Sequence, residues 1–451
     1  MAKRWPRLIG VVFTIPIAVV AFVSGLYYAN LHRISSVQNT MDLGVTMLDT
    51  QSSVMVIAPH CDDETLGLSG LMSGLETQGT PVKTVFLTNG DGFRIAAQFL
   101  LKKVNLTAVD FVTFGSKRQS EALVAAAILG QTRDNVSFLG FPDQGLLNML
   151  CAKGETPPPF IPTTTQSPRV PYRNATSYNS LHNRESVISS LMSEIRTFRP
   201  SDIYVTHPLD DHTDHAAAPV FLQIAVDRLV ERKAIKRPRI HWYLIHRGDW
   251  PLPQGLHPER WLVPPEAITD TRTKWTSYTL TAMDTKRKAA ALNAYQSQVH
   301  VMQRMLNSFL RKNEVVTASI DNHDALNNSE FTKEPIGDNV VRFANPSADI
   351  ASVTSRVAGN TLDIAIEMAG PTSPAIETAV TLIGVSNTGS NASKVKLPRP
   401  NLLATTKTIT TKVPMDSLPV SGKLTALYLQ VETFALEGYL VDRSAMHRIK
   451  P

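Results

Sequence analysis

The chain has 451 residues. A chain of this length is too long to fold around one hydrophobic core, so we expect two domains. Its hydrophobic fraction of 43% and charged fraction of 19% exclude a disordered chain. A net charge of +6 without a basic stripe excludes a nucleic-acid-binding protein, and two cysteines exclude a disulfide framework or a cysteine-rich zinc module.

Near its N-terminus the sequence has an apolar segment with three basic residues in front of it. Lys3, Arg4 and Arg7 stand before an uncharged run from Leu8 to Ala29. About 20 apolar residues span a bilayer as a helix, so residues 1–35 are predicted to be a single-pass membrane anchor. The alternative is a signal segment that is cleaved, which gives a secreted protein. The basic residues favour a cytoplasmic N-terminus, and both interpretations place the rest of the chain outside the cytoplasm.

Short apolar runs alternate with helical patterns over residues 50–325. The predicted strands cover residues 54–58, 82–87, 136–139, 202–206 and 240–245. The predicted helices cover residues 64–75, 118–129, 184–198 and 216–230. Apolar strands that alternate with helices are typical of a parallel sheet with helices on both faces. We therefore predict a Rossmann-like α/β domain in this part of the chain.

A proline-rich stretch from Cys151 to Tyr178 interrupts this alternation. The pattern predicts a long loop. It leaves two alternatives open, a cover or binding segment for a functional site and a disordered segment.

The composition changes again near residue 335. Short runs rich in Val, Thr, Ile and Leu, separated by turn residues, cover residues 340–343, 353–357, 362–368, 379–385, 408–413 and 424–431. Short strands at regular spacing are typical of an all-β sandwich. We predict a second, C-terminal domain of this kind over residues 335–451.

Polar residues suited to catalysis follow two of the predicted strands. His60, Asp62 and Asp63 come directly after the first strand, and the segment from His207 to His215 comes directly after the fourth. In open parallel sheets, ligands bind outside the carboxyl ends of the strands. Taken alone, the acids fit a helix N-terminus and the second segment fits a solvated loop. The two clusters together favour a single functional site.

The residue types in these clusters suit a catalytic zinc ion or another divalent metal. Catalytic zinc takes three protein ligands and leaves one position for water, and His60, Asp63 and His215 supply two imidazoles and a carboxylate. Asp62 is then free to take a proton from water that the metal acidifies. His212 would stabilise the oxyanion of a tetrahedral intermediate or protonate a leaving amine.

Both clusters resemble motifs of the PIG-L-like (LmbE-like) de-N-acetylases. The first motif of that family is typically His-Pro-Asp-Asp-Glu after a strand, and here it is His60-Cys61-Asp62-Asp63-Glu64. The second ends His-x-Asp-His and is matched by His212-Thr213-Asp214-His215. The resemblance implies the zinc ligands His60, Asp63 and His215, the general base Asp62 and the assisting residue His212.

Weaker similarities to the family extend over about residues 53–300. The loop 87–92 and the helix segment 118–121 resemble family segments whose acid and arginine contact substrate, so Asp91 and Arg118 are candidate substrate-binding residues. Asp214 is a candidate to hold one imidazole in its tautomer.

Two features depart from the family pattern. Cys61 replaces the usual proline, and we expect it to be a small packing residue because adjacent residues rarely both reach one ion without strain. The eukaryotic members that deacetylate N-acetylglucosaminyl-phosphatidylinositol face the cytosol, whereas the charge bias here places the catalytic domain outside it. This orientation favours an envelope or extracellular glycan as the substrate.

The resemblance implies a zinc-dependent hydrolase that removes N-acetyl groups from an N-acetylglucosamine-type sugar or glycoconjugate by attack of metal-bound water. A competing hypothesis is an extracytoplasmic glycan-binding or adhesion protein on a catalytically inactive deacetylase scaffold, which would have no chemical need for all five polar residues. A nucleotide-binding oxidoreductase is disfavoured because no Gly-x-Gly-x-x-Gly follows the first strand. The sequence leaves the oligomeric state open.

Overall fold

The computed structural model describes residues 53–248, 250–265, 274–317, 332–336, 344–399, 406–417, 420–435 and 438–449, and in addition residues 22, 24, 25, 29, 44, 45, 268 and 342. The membrane helix predicted within residues 1–35 lies almost entirely outside this set. Among the described residues, no helix combines the length and the apolar character that crossing a membrane requires.

A sheet of eight strands organises the N-terminal part of the described chain. Its strands are β1 (Gly44–Val45), β2 (Val54–Ala58), β3 (Val82–Thr88), β4 (Val136–Phe141), β5 (Asp202–Thr206), β6 (Arg239–Tyr243), β7 (Trp275–Thr279) and β8 (Asn313–Thr317). They lie in the order β1-β7-β8-β6-β5-β2-β3-β4. The five strands from β6 to β4 pair in parallel, whereas β8 is antiparallel to both β6 and β7.

Helices pack against both faces of this sheet. They are α1 (Asp63–Thr77), α2 (Arg94–Leu101), α3 (Ala108–Ile128), α4 (Leu146–Leu150), α5 (Arg184–Phe198), α6 (Thr213–Glu231), α7 (Ala282–Ala294) and α8 (Gln296–Asn307). Met55 and Ile57 of β2 belong to the apolar core that contains α5 and α6. Val54 and Val56 belong to the core that contains α1 and α3. Alternate side chains of a doubly buried strand thus enter two separate cores.

The order of the parallel strands reverses between β2 and β5. From β2 the chain proceeds outward to β3 and β4, and it then returns to β5 on the other side of β2. The loops that follow β2 and β5 therefore leave neighbouring strands at the same edge of the sheet. Such a reversal opens a crevice in which α/β proteins bind ligands.

The C-terminal part of the chain forms an antiparallel β domain. Its strands are β9 (Thr332–Lys333), β10 (Ile350–Ala358), β11 (Thr361–Met368), β12 (Glu377–Ser386), β13 (Ser390–Lys396), β14 (Thr408–Pro414), β15 (Leu424–Ala435), β16 (Tyr439–Arg443) and β17 (His447–Ile449). One sheet has the order β14-β11-β10-β9, and the other has the order β13-β12-β15-β16 with β17 also paired to β15. Ile364 of the first sheet and Leu382 and Leu429 of the second share one apolar core.

Buried contacts join the β domain to the α/β domain. The Nη1 atom of Arg184 donates to the carbonyl of Ser390 at 2.9 Å. Arg228 pairs with Glu185 at 2.6 Å on the same side of the interface. Tyr428 of β15 belongs to the apolar core that contains α5 and α6. The two domains therefore share a core.

The predicted parallel strands and the C-terminal β domain are confirmed. Some helices and strands nevertheless differ from the prediction in their bounds or were missed. The helix predicted over residues 118–129 begins at Ala108, because Thr107 and the side chain of Asp110 form a capping box. The elements that were not predicted are strands β1, β7, β8, β9, β13, β16 and β17 and helices α2, α4, α7 and α8. The strand predicted over residues 340–343 lies mostly outside the described residues.

The proline-rich stretch, residues 151–178, is a long loop, as predicted. Its Gly154 amide donates to the carbonyl of Ala392 in the β domain at 3.0 Å. Further along, Tyr172 is buried and its hydroxyl donates to Asp91 at 2.5 Å. The loop therefore connects the β domain with the edge of the sheet where the polar clusters lie.

Candidate metal centre

The first polar cluster lies in the turn from β2 into α1. Asp62 is the N-cap residue of α1 and has a φ of 143°, a conformation that residues with side chains rarely adopt. Asp63 begins the helix, and its Oδ2 accepts a hydrogen bond from the backbone N–H of His60 at 2.8 Å. Backbone strain of this kind persists only where surrounding contacts hold it, and it concentrates at functional sites.

The second polar cluster lies at the N-terminus of α6. His212 is the N-cap residue, and its Nδ1 accepts a hydrogen bond from the backbone N–H of Asp214 at 3.2 Å. Because this nitrogen accepts, the neutral ring of His212 carries its proton on Nε2. Asp214 and His215 follow in the first turn and are fully buried.

Three side-chain atoms from the two clusters converge on one point. The Nδ1 of His60 is 3.3 Å from the Oδ2 of Asp63. The Nε2 of His215 is 3.1 Å from the same oxygen and 3.0 Å from the Nδ1 of His60. Ligand atoms around a tetrahedral zinc ion, with bonds of about 2.0–2.1 Å, lie about 3.3 Å apart. The predicted ligand set therefore has the spacing of a coordination shell.

Carboxylates on the outer side fix how the two imidazoles face each other. The Nδ1 of His215 is 3.2 Å from the Oδ2 of Asp210. The Nε2 of His60 is 3.1 Å from Asp143 and 3.3 Å from Asp214. A neutral imidazole that donates to a carboxylate through one nitrogen presents a lone pair on the other. Both lone pairs therefore point toward Asp63, which is the donor arrangement that a divalent cation requires.

The buried carboxylates of the centre favour a bound positive charge. Burial would raise the pKa of Asp63, but the charges and hydrogen bonds of His215 and His60 outweigh it and hold that pKa well below its usual range. Burial would lower the pKa of His215, but Asp210 and Asp63 raise it to about 9. Four buried carboxylates surround these two rings: Asp63, Asp143, Asp210 and Asp214. A cation among the lone pairs would supply the charge that bound protons otherwise supply.

Overlapping groups of donors occupy this same place. Three sets have ligand atoms within 4.8 Å of one another: His60 with His212 and His215, Asp63 with His215 and His246, and His60 with Asp143 and Asp214. Each set contains His60 or His215, so among the described residues they mark one centre rather than several.

The predicted general base lies beside the predicted substrate arginine. Arg118 Nη2 is 3.1 Å from the Oδ1 of Asp62, and its other contacts are the carbonyls of Gly90 and Cys61. Burial raises the pKa of Asp62 to about 7, although the Arg118 charge lowers it. Arg118 is 3% exposed, so it holds Asp62 in place from behind and offers little surface to a substrate.

Asp91 also lies behind the centre. Its Oδ1 accepts from the backbone N–H of Asp143 at 3.2 Å and its Oδ2 from the Tyr172 hydroxyl. Burial and the nearby charge of Asp143 raise the pKa of Asp91 to about 7. Both carboxylate oxygens of Asp91 therefore accept hydrogen bonds within the protein. One of these bonds holds Asp143, which contacts His60. Cys61 is fully buried in an apolar core, as a packing residue would be.

Sequence reasoning missed three residues of the centre. Asp210 lies against His215 in the way that Asp214, the acid predicted to hold one imidazole, lies against His60. Asp143 follows the end of β4, and His246 follows the end of β6, so both stand at the edge that the strand pattern had already indicated. A search of every strand end for polar side chains would have found them.

The partly exposed imidazoles mark the open side of the centre. The ring of His212 lies 4.6 Å from that of His60 and 5.1 Å from that of His215. The ring of His246 lies 4.8 Å from that of His215. Burial lowers the pKa of His212 to about 3, so this ring is neutral near pH 7. His212 and His246 are partly exposed whereas His215 is fully buried, so solvent reaches the centre on the side of these two rings.

A family model described as PIG-L: GlcNAc-PI de-N-acetylase matches residues 55–226. This range contains every residue of the predicted catalytic and ligand sets. A comparison with curated proteins gives no match.

Several solved structures are similar to the chain at low identity. N,N'-diacetylchitobiose deacetylase from Pyrococcus horikoshii is 16% identical, with 57% of this chain and 79% of that chain covered and a TM-score of 0.35. The zinc-inhibited form of teicoplanin deacetylase is 14% identical, with 60% and 99% covered and a TM-score of 0.38. The 4-carboxy-2-hydroxymuconate hydratase from Pseudomonas putida is 16% identical, with 57% and 83% covered and a TM-score of 0.35.

Proposed function

We propose, from the PIG-L family domain that residues 55–226 form, that this protein is a metal-dependent hydrolase that removes N-acetyl groups from an N-acetylglucosamine-type sugar or glycoconjugate. The observation that carries the proposal is the convergence of His60 Nδ1, Asp63 Oδ2 and His215 Nε2 within 3.3 Å of one another.

The donor set fits a zinc ion. His60, Asp63 and His215 would hold it, because two imidazoles and a carboxylate suit zinc, and Asp210 and Asp143 would orient the rings. When bound, such an ion polarises the acetamide carbonyl and makes water more acidic. Another divalent metal would accept the same ligands.

Asp62 would move the proton of the attacking water. Its carboxylate is ionised in part near neutral pH, since burial raises its pKa to about 7, close to the value that suits a general base. The ion pair with Arg118 and the strained turn fix the direction in which its oxygens point. After the water oxygen has joined the carbonyl carbon, the protonated Asp62 can pass that proton to the departing nitrogen as the C–N bond breaks.

His212 would stabilise the oxyanion. Its Nδ1 accepts from the Asp214 amide, so the Nε2–H is the group available to a substrate. Its pKa of about 3 keeps the ring neutral, which suits donation of a hydrogen bond and does not suit transfer of a proton to the amine. Of the two roles predicted for His212, the structure therefore favours the first.

The proposed location follows from the sequence. The basic residues before the apolar run at residues 8–29 favour a chain held in the membrane by its N-terminus, with the catalytic domain outside the cytoplasm, or secreted after cleavage. This orientation supports an envelope or extracellular glycan as the acetylated substrate.

The test combines amine release with metal content. The full chain, loaded with zinc, should release free amine and acetate from N-acetylglucosamine conjugates. Asp62→Asn should retain the metal and lose turnover by about 100-fold or more, because a general base contributes that much. Asp211→Asn, which changes a partly exposed acid of the same loop that pairs with Arg247, is the matched control and should retain activity.

Two outcomes would contradict the proposal. No free amine from several glycoconjugates would oppose it, and so would glycan binding that persists unchanged in Asp62→Asn without any turnover in the wild type. The second outcome is the one expected of an inactive scaffold that binds glycans.

A further inference from the structure

Helix α2 and the residues after it expose a group of apolar side chains. Ile95 is 64%, Phe99 57%, Val104 82% and Val109 73% exposed. Ile95 and Phe99 are one helical turn apart on the outer side of α2, while Ala96 and Ala97 are buried on its inner side. We call these four exposed residues the α2 face. Apolar groups concentrated in this way mark a surface that contacts another apolar phase.

The α2 face lies at the same edge of the sheet as the metal centre. Helix α2 follows β3, and it begins shortly after Gly92. The Gly92 amide donates to the Oδ2 of Asp143 at 2.9 Å, and Asp143 contacts His60. The N-terminal end of α2 is therefore linked to the centre through Gly92 and Asp143.

Basic residues accompany the apolar ones. Between Gly92 and Val109 the sequence contains Arg94, Lys102 and Lys103 and no acidic residue. All three basic side chains are exposed. Lys103 pairs with Asp110 at 2.6 Å, but no described acidic residue forms an ion pair with Lys102. Apolar side chains flanked by lysine and arginine are typical of segments that lie in the interfacial region of anionic membranes.

We propose that the α2 face docks on the surface of a lipid bilayer that carries anionic headgroups. Its apolar side chains enter the boundary between headgroups and acyl chains, and Arg94, Lys102 and Lys103 contact phosphates. A second copy of the chain fits less well, because a symmetric contact through this patch would place two groups of like-charged basic residues in one interface. The apolar run at residues 8–29, with basic residues before it, is the predicted membrane anchor of the same chain, and an anchored chain would keep this face near a bilayer. The inference does not rest on the proposed activity.

Tryptophan quenching by brominated lipid tests the docking. Phe99→Trp places an indole on the α2 face with little change in shape, and the wild-type emission serves as the background. The full chain is reconstituted in phosphatidylcholine vesicles with a minor share of phosphatidylglycerol, with and without bromine on the acyl chains. We expect loss of the emission that the substitution adds, and a smaller loss when phosphatidylglycerol is omitted. Tyr439→Trp, on an exposed aromatic of β16, is the matched control and should keep its emission.

Equal quenching at both positions, or none at position 99, would overturn the proposal. Protection of the position-99 indole from aqueous iodide in detergent, rising with protein concentration and without quenching by lipid, would overturn it in favour of contact between copies.

Discussion

The Nδ1 of His60 lies 3.0 Å from the Nε2 of His215, across 155 positions of sequence, and the opposite nitrogen of each ring faces a carboxylate. Two imidazoles arranged in this way direct lone pairs at each other unless a proton or a metal ion lies between them. With Asp63 Oδ2 completing the triangle, a metal ion would satisfy all three donors at once. The proposed chemistry depends on this geometry.

Asp210 is predicted to control metal affinity without touching the ion. Its Oδ2 holds the Nδ1 of His215 and also accepts from the amides of Ile245 and His246. Asp210→Asn should weaken zinc binding by about 10- to 100-fold, as removal of such outer partners usually does. Competition with a chromophoric chelator measures the change. Asp202→Asn, which disrupts a comparable aspartate pair with His241 away from the centre, should leave zinc affinity unchanged.

Gly90 is predicted to fix the position of Arg118. Its φ is +61°, and a Cβ at this residue would lie 1.7 Å from the Nη1 of Arg118. Gly90→Ala should displace the arginine from Asp62 and lower kcat by about 100-fold, since small misplacements of catalytic groups have effects of this size. Gly359→Ala is the matched control, because Gly359 has a φ of +60° and nothing within 4 Å of its Cβ position. It should cost about 1 kcal/mol of stability and no activity. Similar kcat values for the two variants would show that Arg118 has no positioning role.

His246 is predicted to act on the substrate and not on the metal. Its ring is partly exposed beside His215, and its backbone N–H donates a hydrogen bond to Asp210. His246→Asn should lower kcat/KM by about tenfold or more while zinc content stays at the wild-type level. Elemental analysis alongside kinetics separates the two roles. Loss of zinc in parallel with activity would place His246 among the ligands instead.

His447 is predicted to make the stability of the protein depend on pH. Burial lowers its pKa from 6.5 to about 4, against a smaller opposing effect of a backbone hydrogen bond at Ala445. Between these values the unfolded chain binds a proton that the folded chain does not, so the free energy of unfolding decreases as pH falls from 6.5 toward 4. The full effect of this one group is roughly 3 kcal/mol. Chemical denaturation of His447→Gln across this range should show a shallower dependence, and an unchanged slope would contradict the assignment.

The five parallel strands of the central sheet could be predicted from the sequence, whereas the antiparallel pair β7 and β8 could not. Strands such as Val54–Ala58 are buried on both faces and read as continuous apolar runs. Strand β7, with the sequence WTSYT, alternates in burial, and β8, with the sequence NEVVT, contains three polar residues. Such short mixed segments resemble loops until their pairing partner, about 40 residues away in this case, is known.

The candidate ligand set could be predicted from the sequence because its members lie in the two polar segments that directly follow predicted strands. The contacts that the supporting residues make could not be predicted, since their partners are remote in the chain. Asp143 reaches His60, and Arg118 reaches Asp62, only through the crossover that places β4 and α3 near β2. Spacing alone also left open which imidazole Asp214 would contact, because Asp210 and Asp214 are both near His215 in sequence but lie against different rings.

X-ray absorption spectroscopy of the zinc-loaded full chain tests the metal centre most directly. The spectrum should show only nitrogen and oxygen neighbours at about 2.0–2.2 Å, with a contribution from two imidazoles, and His215→Ala should lose tight zinc binding. Absence of tight zinc binding in the wild type would contradict the account. So would a sulfur neighbour at about 2.3 Å, because it would make Cys61 or Cys151 a ligand in place of the converged set.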